Sequence, residues 1–95
     1  MATHMRSSNA EARASRILDR VRAIPEGHAQ TYGDIDPRAL RLVGVVLATA
    51  RAEVPWHRVV RADGIVPLGH PRLERLRNEG VPRRGDRVDL RRARW

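Results

Sequence analysis

The hexapeptide at residues 55–60 places an indole, an imidazole and a guanidinium side by side, at Trp56, His57 and Arg58. An imidazole can activate a neighbouring nucleophile by removing its proton as a general base. The chain contains no cysteine, which excludes disulfides, thiolate metal sites and cysteine nucleophiles. A metal site built on His57 and His70 lacks further ligands and suitable spacing. Trp56 is then either a core tryptophan in a chain without Phe or the wall of a binding pocket, and its neighbours favour the pocket.

The charge of the chain indicates a polyanionic partner. The formal net charge is +8, the isoelectric point is about 11.7, and all 19 basic residues are arginine. Guanidinium groups bind phosphate bidentately and stack on bases. GC-rich coding explains the choice of arginine over lysine, whereas a nucleic-acid partner explains the net excess. Membrane association is not expected, because no apolar run approaches the roughly 18 residues of a span and no Arg-rich helix has a bulky apolar face.

A single small domain must position these residues, since 95 residues with a hydrophobic fraction of 41% suffice for one core. Apolar periodicity, capping residues and turn signals predict a mainly α-helical domain with minor short strands. The predicted elements are a disordered tail over residues 1–9, then a domain over residues 10–95 with a helix from Ala10 to Ile24, a short segment over residues 30–34, a helix from about Pro37 to Ala50 with Asp36 as its N-cap, an extended run from Val54 to Val60, an Asp63-Gly64 turn, a helix from Arg72 to Glu79 with Gly80 as its C-cap, and a loop or extended segment from Val81 to Trp95.

Two helices separated by a turn, the second carrying Arg38 and Arg41 near its start, have the outline of a helix-turn-helix. This outline alone is a weak signal, because any small helical domain can be drawn this way. The predicted architecture is a helix-turn-helix domain of the winged-helix type that binds DNA.

Short motifs along the chain occur in the order found in the C-terminal domain of the O6-alkylguanine-DNA alkyltransferases. With Trp56 where those enzymes have their reactive cysteine, the chain resembles the alkyltransferase-like proteins. Such proteins bind O6-alkylguanine in DNA without dealkylating it and are implied to pass the lesion to nucleotide excision repair. The motifs are Ile24-Pro25-Glu26-Gly27, Thr31-Tyr32-Gly33, Arg41-Leu42-Val43-Gly44, Pro55-Trp56-His57-Arg58-Val59-Val60, Asp63-Gly64 and Glu79-Gly80.

The resemblance implies a DNA-binding set of Thr31, Tyr32, Gly33, Arg41 and Gly44. In the family, the tyrosine matched by Tyr32 displaces the phosphate beside the target nucleotide and helps to rotate the base out of the duplex. The arginine matched by Arg41 inserts into the gap, and Gly44 allows the helix to approach the minor groove closely. Without the family resemblance, Tyr32 would be interpreted as a surface or core tyrosine whose hydroxyl is hydrogen-bonded. Arg41 would be interpreted as a solvated arginine on a helix.

The resemblance also implies a lesion pocket. Trp56 would form its wall, while His57 and Glu79 match a relay that activates the cysteine thiol in the enzymes. Without a thiol, these two residues are expected to form a buried hydrogen bond that holds the pocket and the 55–60 turn. Arg58 is expected either to fix this loop internally or to contact phosphate.

Departures from the enzymes affect two stretches. Thr49-Ala50 stands where the enzymes have an Asn-Pro pair, which agrees with a protein that performs no catalysis. Some alkyltransferase-like proteins place a base-sensing arginine in the loop after Val66. Here Gly69 and His70 stand near that position, and the nearest arginine is Arg72. The absence of a large side chain at Gly69 leaves room for bulky adducts.

The expected function is therefore non-enzymatic sensing of O6-alkylguanine in double-stranded DNA. The expected partners are that DNA and nucleotide excision repair proteins, and no cofactor, metal or membrane is expected. A monomer is expected. A cytoplasmic, nucleoid-associated location is expected, because the N-terminus lacks an apolar signal segment. Two alternatives stay open: residual alkyl transfer to His57, which lacks the nucleophilicity of a thiolate, and a basic helix-turn-helix binder of DNA or RNA without lesion preference.

Overall fold

The computed structural model describes residues 2–51, 53–66 and 70–95, and within them helices outweigh strands. The predicted mainly α-helical fold class is confirmed. No helix in this described part is long and apolar enough to cross a membrane. The elements are α1 (Ala2–Arg22), β1 (Gln30–Thr31), α2 (Tyr32–Ile35), α3 (Leu40–Ala50), a 3₁₀ helix (Trp56–Arg58), β2 (Val59–Val60), α4 (His70–Asn78), β3 (Arg83–Arg84), β4 (Arg87–Val88) and α5 (Leu90–Ala93).

The first hydrophobic cluster joins α1 to α2 and α3. Apolar side chains recur along α1 and α3 at helical spacing, so that each helix buries one face against the other. Tyr32 and Trp56 pack against the edge of this cluster. Its buried members are Ile17, Val21, Ile24, Ile35, Val43, Val46, Leu47, Val54 and Val59.

A second cluster includes residues of α4, β4 and α5. It brings together side chains that are far apart in sequence, including Ala29, which precedes β1, and Ala93 from α5. Its buried members are Ala29, Val60, Val66, Leu76, Val81, Val88 and Ala93.

Strand β1 connects the two parts that carry the predicted site residues. It pairs in parallel with β2, with Gln30 opposite Val59 and Thr31 opposite Val60. Tyr32 follows β1 directly and the 3₁₀ helix precedes β2 directly, and both Tyr32 and Trp56 pack against the first hydrophobic cluster.

Helix α1 begins earlier than the sequence indicated. The predicted helix begins at Ala10 after a disordered tail, whereas residues 2–9 continue the helix in the structure. Propagation adds one hydrogen bond for each residue fixed once a packed nucleus exists, and the packed part of α1 supplies that nucleus. The proposed domain boundary at residue 10 stays a prediction.

The predicted N-cap of the second helix is wrong. Helix α3 begins at Leu40, and its N-cap is Ala39, which makes no side-chain cap hydrogen bond. The carboxylate of Asp36 instead accepts two hydrogen bonds from Arg13, at 2.9 and 3.1 Å, and one from the backbone N–H of Arg38 at 3.1 Å. A partner 23 residues away thus holds Asp36 in the turn that precedes α3.

Local hydrogen bonds refine three further predictions. The run from Val54 to Val60 is extended only at its end, since a 3₁₀ helix occupies its middle. Residues 81–95 form the β3–β4 hairpin and α5, with a turn at Gly85, whose φ is 61°. The predicted turn at Gly64 and the C-cap at Gly80 are confirmed, with φ values of 83° and 78° that favour glycine.

Candidate functional site

A small pocket lies between α2, α3 and the 3₁₀ helix, with a volume of about 130 Å³. Side chains from four separate elements and loops meet in it. A larger groove of about 460 Å³ lies between α1 and α2, but there Arg13 and Asp36 already pair with each other. The smaller pocket is lined by Tyr32, Gly44, Leu47, Ala48, Arg51, Trp56 and Arg72.

The indole of Trp56 is flanked by two guanidinium groups. The Cζ atom of Arg72 lies 4.0 Å from the ring centroid, and that of Arg51 lies 5.3 Å away. Arg72 also donates hydrogen bonds to the backbone carbonyls of Trp56 and Val59. Burial lowers the pKa of Arg72, and its hydrogen bond with Tyr32 partly offsets this. Arg72 therefore connects the tyrosine and the tryptophan of the pocket.

The sequence prediction did not include Arg51 or Arg72 in the site. Helical spacing was the available signal for Arg72, because it lies four residues before the buried Leu76 and so shares its inward face on α4. Arg51 follows the last residue of α3, and nothing in its local sequence distinguishes it from the other arginines.

Tyr32 is placed by a capping box. The Thr31 hydroxyl accepts a hydrogen bond from the N–H of Asp34, and the Asp34 carboxylate accepts one from the N–H of Thr31, both at 3.0 Å. Thr31 is buried, so the structure assigns its hydroxyl to the helix cap. A Cβ on Gly33 would make only ordinary contacts, so packing within the chain does not require glycine there.

The outer face of α3 is exposed and carries the small residues Gly44, Val45 and Ala48. Arg41 is exposed near its start, and Val45 is 59% exposed although it is apolar. A Cβ placed on Gly44 would meet no described atom within 4 Å outside the local helix backbone. Glycine inside a helix costs roughly 0.5–1 kcal/mol relative to alanine. Since internal packing does not require Gly44, its small size is consistent with close approach of an external partner.

Glu79 holds the turn that carries Trp56. His57 is only 1% exposed, and its Nε2 lies 2.9 Å from Glu79 Oε2, which is the predicted hydrogen bond. Arg58 donates to both oxygens of Glu79, at 3.0 and 2.8 Å, and to the carbonyl of Ile24 at 2.8 Å. Of the two predicted roles for Arg58, the structure therefore shows the internal one. These three side chains support the pocket and are not among the residues that line it.

The charges of this network follow from burial and pairing. Burial lowers the pKa of His57, and the carboxylate of Glu79 opposes that effect only in part. Burial alone would raise the pKa of Glu79, but hydrogen bonds from Arg58 and His57 outweigh it and lower the pKa. Because a carboxylate only accepts, the neutral imidazole carries its hydrogen on Nε2. The buried Nδ1 then has no hydrogen-bond partner among the described residues.

Two predicted pocket residues are not tested by these contacts. Gly69 lies outside the described residues, and His70 opens α4 with a side chain whose placement is also outside them. Their proximity to the base therefore stays a prediction. Across residues 2–51, 53–66 and 70–95, no group of three or more His, Asp or Glu side chains is arranged to hold a metal ion.

Known proteins are similar to this chain in sequence and fold. Residues 12–81 match the family described as the DNA binding domain of 6-O-methylguanine DNA methyltransferase. The chain belongs to this family. With Trp56 in place of the reactive cysteine, it is an alkyltransferase-like member, as the sequence motifs predicted.

Relatives in the family include binding proteins and enzymes. A DNA base-flipping protein of Escherichia coli (strain K12) is 44% identical over 92 residues, which cover 84% of this chain and 71% of that protein. A methylated-DNA–protein-cysteine methyltransferase of Methanopyrus kandleri is 45% identical over 62 residues, which cover 60% of this chain and 47% of the enzyme.

Solved structures agree with the sequence relationship. The crystal structure of S. pombe Atl1 with damaged DNA containing O6-carboxymethylguanine superposes with a TM-score of 0.73 and 25% identity, covering 90% of this chain and 95% of that one. The structure of S. pombe ATL with DNA gives a TM-score of 0.75 and 26% identity over the same shares.

Acidification should weaken the fold through His57. Its pKa lies below the ordinary value of 6.5, so the unfolded chain binds the proton first. The stability that neutral His57 contributes is present above pH 6.5 and is lost as the pH falls through its lower folded pKa. Urea unfolding between about pH 7.5 and about pH 5.5 measures this loss. The His57→Gln variant should show a shallower pH dependence of the free energy of unfolding, and equal slopes for wild type and His57→Gln would contradict the assignment.

Proposed function

We propose that this protein is a non-enzymatic sensor of O6-alkylguanine in duplex DNA. It binds the lesion by rotating the damaged base into the Trp56 pocket. The observation that carries this proposal is that Tyr32 and Trp56 border one small pocket in a chain without a single cysteine. The same pocket in an enzyme of this family would need a thiol to accept the alkyl group.

Docking uses the exposed face of α3. The minor groove is only about 6 Å wide, so a helix can lie close to it only where its side chains are small. Gly44, Val45 and Ala48 give α3 such a face, and Arg41 supplies positive charge near its start. The net charge of +8 adds a general attraction to the phosphate backbone.

Base rotation uses Tyr32 and Arg41. Extruding a base costs a few kcal/mol, and less where the base pair is already weakened by damage. Tyr32 lies at the start of α2 on the border of the pocket, where it can displace the phosphate of the target nucleotide. The exposed Arg41 can enter the gap, since a guanidinium both stacks and donates hydrogen bonds.

Capture in the pocket is non-covalent. The indole of Trp56 and the guanidinium of Arg72 offer flat surfaces to a purine, and Leu47 offers an apolar contact to the alkyl group. Residual alkyl transfer is disfavoured, because the His57 ring is buried and is not among the residues that line the pocket. The Methanopyrus relative is a protein-cysteine methyltransferase by name, whereas this chain has no cysteine.

Removal of the adduct then requires other proteins. A sensor that leaves the alkyl group in place changes nothing unless its complex with DNA is recognised, and we assign that recognition to nucleotide excision repair. The protein acts as a monomer on chromosomal DNA in the cytoplasm. Support for this step is chemical: the bound lesion persists because the chain has no thiol to accept the alkyl group.

Lesion preference is tested by anisotropy titrations with matched labelled duplexes that contain guanine or O6-methylguanine, at one salt concentration. We expect at least about tenfold tighter binding to the lesion, which corresponds to about 1.4 kcal/mol. Tyr32→Ala should reduce this ratio more than it reduces affinity for the guanine duplex, because it removes the residue that drives rotation. Tyr32→Phe is the matched control that removes only the hydroxyl. Equal affinity of the wild-type protein for both duplexes would instead support a helix-turn-helix binder without lesion preference.

Docking through α3 is tested at Gly44. Gly44→Ala should raise the free energy of unfolding by about 0.5–1 kcal/mol, because the site is open and alanine favours a helix. Gly44→Leu should remain folded but weaken binding to both duplexes, since its side chain would keep α3 away from the groove. Ala12→Leu, which enlarges an exposed residue of α1, is the control and should bind as the wild type does. Unchanged binding by Gly44→Leu would exclude this docking face.

A further inference from the structure

We propose that residues 93–95 form a strap that positions Tyr32, and that Arg94 promotes base rotation through Asp34. This inference rests on the proposed function, because the residue being positioned is the tyrosine that rotates the base. Arg94 is here a positioning residue and makes no contact with the lesion.

Residues 93–95 lie along the segment 29–31 that leads into Tyr32, on the edge that does not pair with β2. Ala29 donates a backbone hydrogen bond to Ala93 at 3.0 Å and accepts one from Trp95 at 3.3 Å. The side-chain amide of Gln30 donates to the carbonyl of Trp95 at 2.9 Å. The other edge of β1 pairs with β2. The chain entering Tyr32 is therefore held on both sides, by β2 and by residues 93–95.

Arg94 extends this hold into the helix cap. Its Nε donates to Asp34 Oδ2 at 3.0 Å, and the same oxygen accepts the N–H of Thr31 at 3.0 Å. Burial alone would raise the pKa of Asp34, but the hydrogen bonds from Thr31 and Arg94 lower it. The carboxylate therefore stays ionised at neutral pH and serves the cap and the strap together.

Helix α2 depends on such external contacts because it has only four residues. A single helical turn is not stable on its own, since its nucleation costs more than its few hydrogen bonds return. The C-terminal end of α2 is fixed by the buried Ile35, whose carbonyl accepts a hydrogen bond from Arg20 at 2.9 Å. The N-terminal end, where Tyr32 lies, relies on the Thr31–Asp34 cap and on Arg94.

Loosening the strap should therefore affect rotation more than docking. The exposed face of α3, which carries Arg41 and Gly44, belongs to a different helix and keeps its own packing against α1. A direct phosphate contact by Arg94 is the competing explanation, because its side chain is 52% exposed. The two explanations differ in what happens once Asp34 can no longer pair with an arginine.

The experiment follows base rotation by the fluorescence of 2-aminopurine placed beside O6-methylguanine in a duplex, with full-length variants confirmed as folded by thermal unfolding. Arg94→Ala should reduce the fluorescence rise at saturation about two- to fivefold, as suits a single exposed ion pair. Arg94→Lys should restore part of it, because the charge is retained. Arg92→Ala is the matched control, since it removes an exposed arginine of α5 and leaves Asp34 paired.

A double variant separates the two explanations. In the Asp34→Asn background, Arg94→Ala should have no further effect on base rotation. The Arg94→Ala single variant should bind undamaged duplex with the same affinity as Arg92→Ala. The strap is overturned if Arg94→Ala lowers rotation equally in both backgrounds, if its loss is confined to undamaged binding and the salt slope, or if it rotates the base as well as the wild type. Failure of the proposed function looks different, because the wild-type protein itself would then show no lesion preference and no rotation signal.

Discussion

The site depends on the hydrogen bonds that the carboxylate of Glu79 accepts. Glu79 follows α4 and receives hydrogen bonds from His57 and Arg58, and Arg58 continues to the carbonyl of Ile24 after α1. Three distant segments thus meet at one acidic group. Removing one partner of a buried ion pair costs on the order of 3–5 kcal/mol in proteins, because a charge is left without compensation. This gives His57 and Glu79 a structural role in a chain that has no thiol to activate.

The pocket has an aromatic side chain at the position where the enzymes of the family have a reactive cysteine. Trp56 fills the position of a nucleophile with a flat aromatic face, and Arg72 lies 4.0 Å above that face while it bonds to Tyr32. Cation–π contacts contribute about 0.5–2 kcal/mol, with the larger values where water is excluded. Tyr32, for which we propose base rotation, interacts with the same guanidinium.

The sequence predicted those features that depend on neighbouring residues. The spacing of Ile17, Val21 and Ile24 indicated α1, and the motif around Trp56 indicated the family. Features that depend on distant partners were missed or wrong. Asp36 is held by Arg13 and so does not cap α3. The β3–β4 hairpin escaped prediction because two residues in each strand are too few for an alternating pattern.

The high arginine content also kept some residues of the site from being predicted from sequence. With 19 arginines in 95 residues, composition could not distinguish the buried Arg72 or the paired Arg94 from arginines on a solvated face. Burial and geometry make that distinction, because a guanidinium below the surface must find carbonyls, aromatic faces or carboxylates. The predicted DNA-binding set was accessible from sequence only through the family motifs, since tyrosine, arginine and glycine are common residue types that do not individually indicate DNA binding.

We propose that recognition has replaced repair chemistry in this pocket, and one measurement tests this most directly. The protein is incubated in excess with duplex DNA containing O6-methylguanine, and the intact mass of the protein and the base composition of the recovered DNA are both determined. We expect an unchanged protein mass and complete recovery of O6-methylguanine from DNA that was bound. A protein heavier by one methyl group, or conversion of the lesion to guanine, would contradict it.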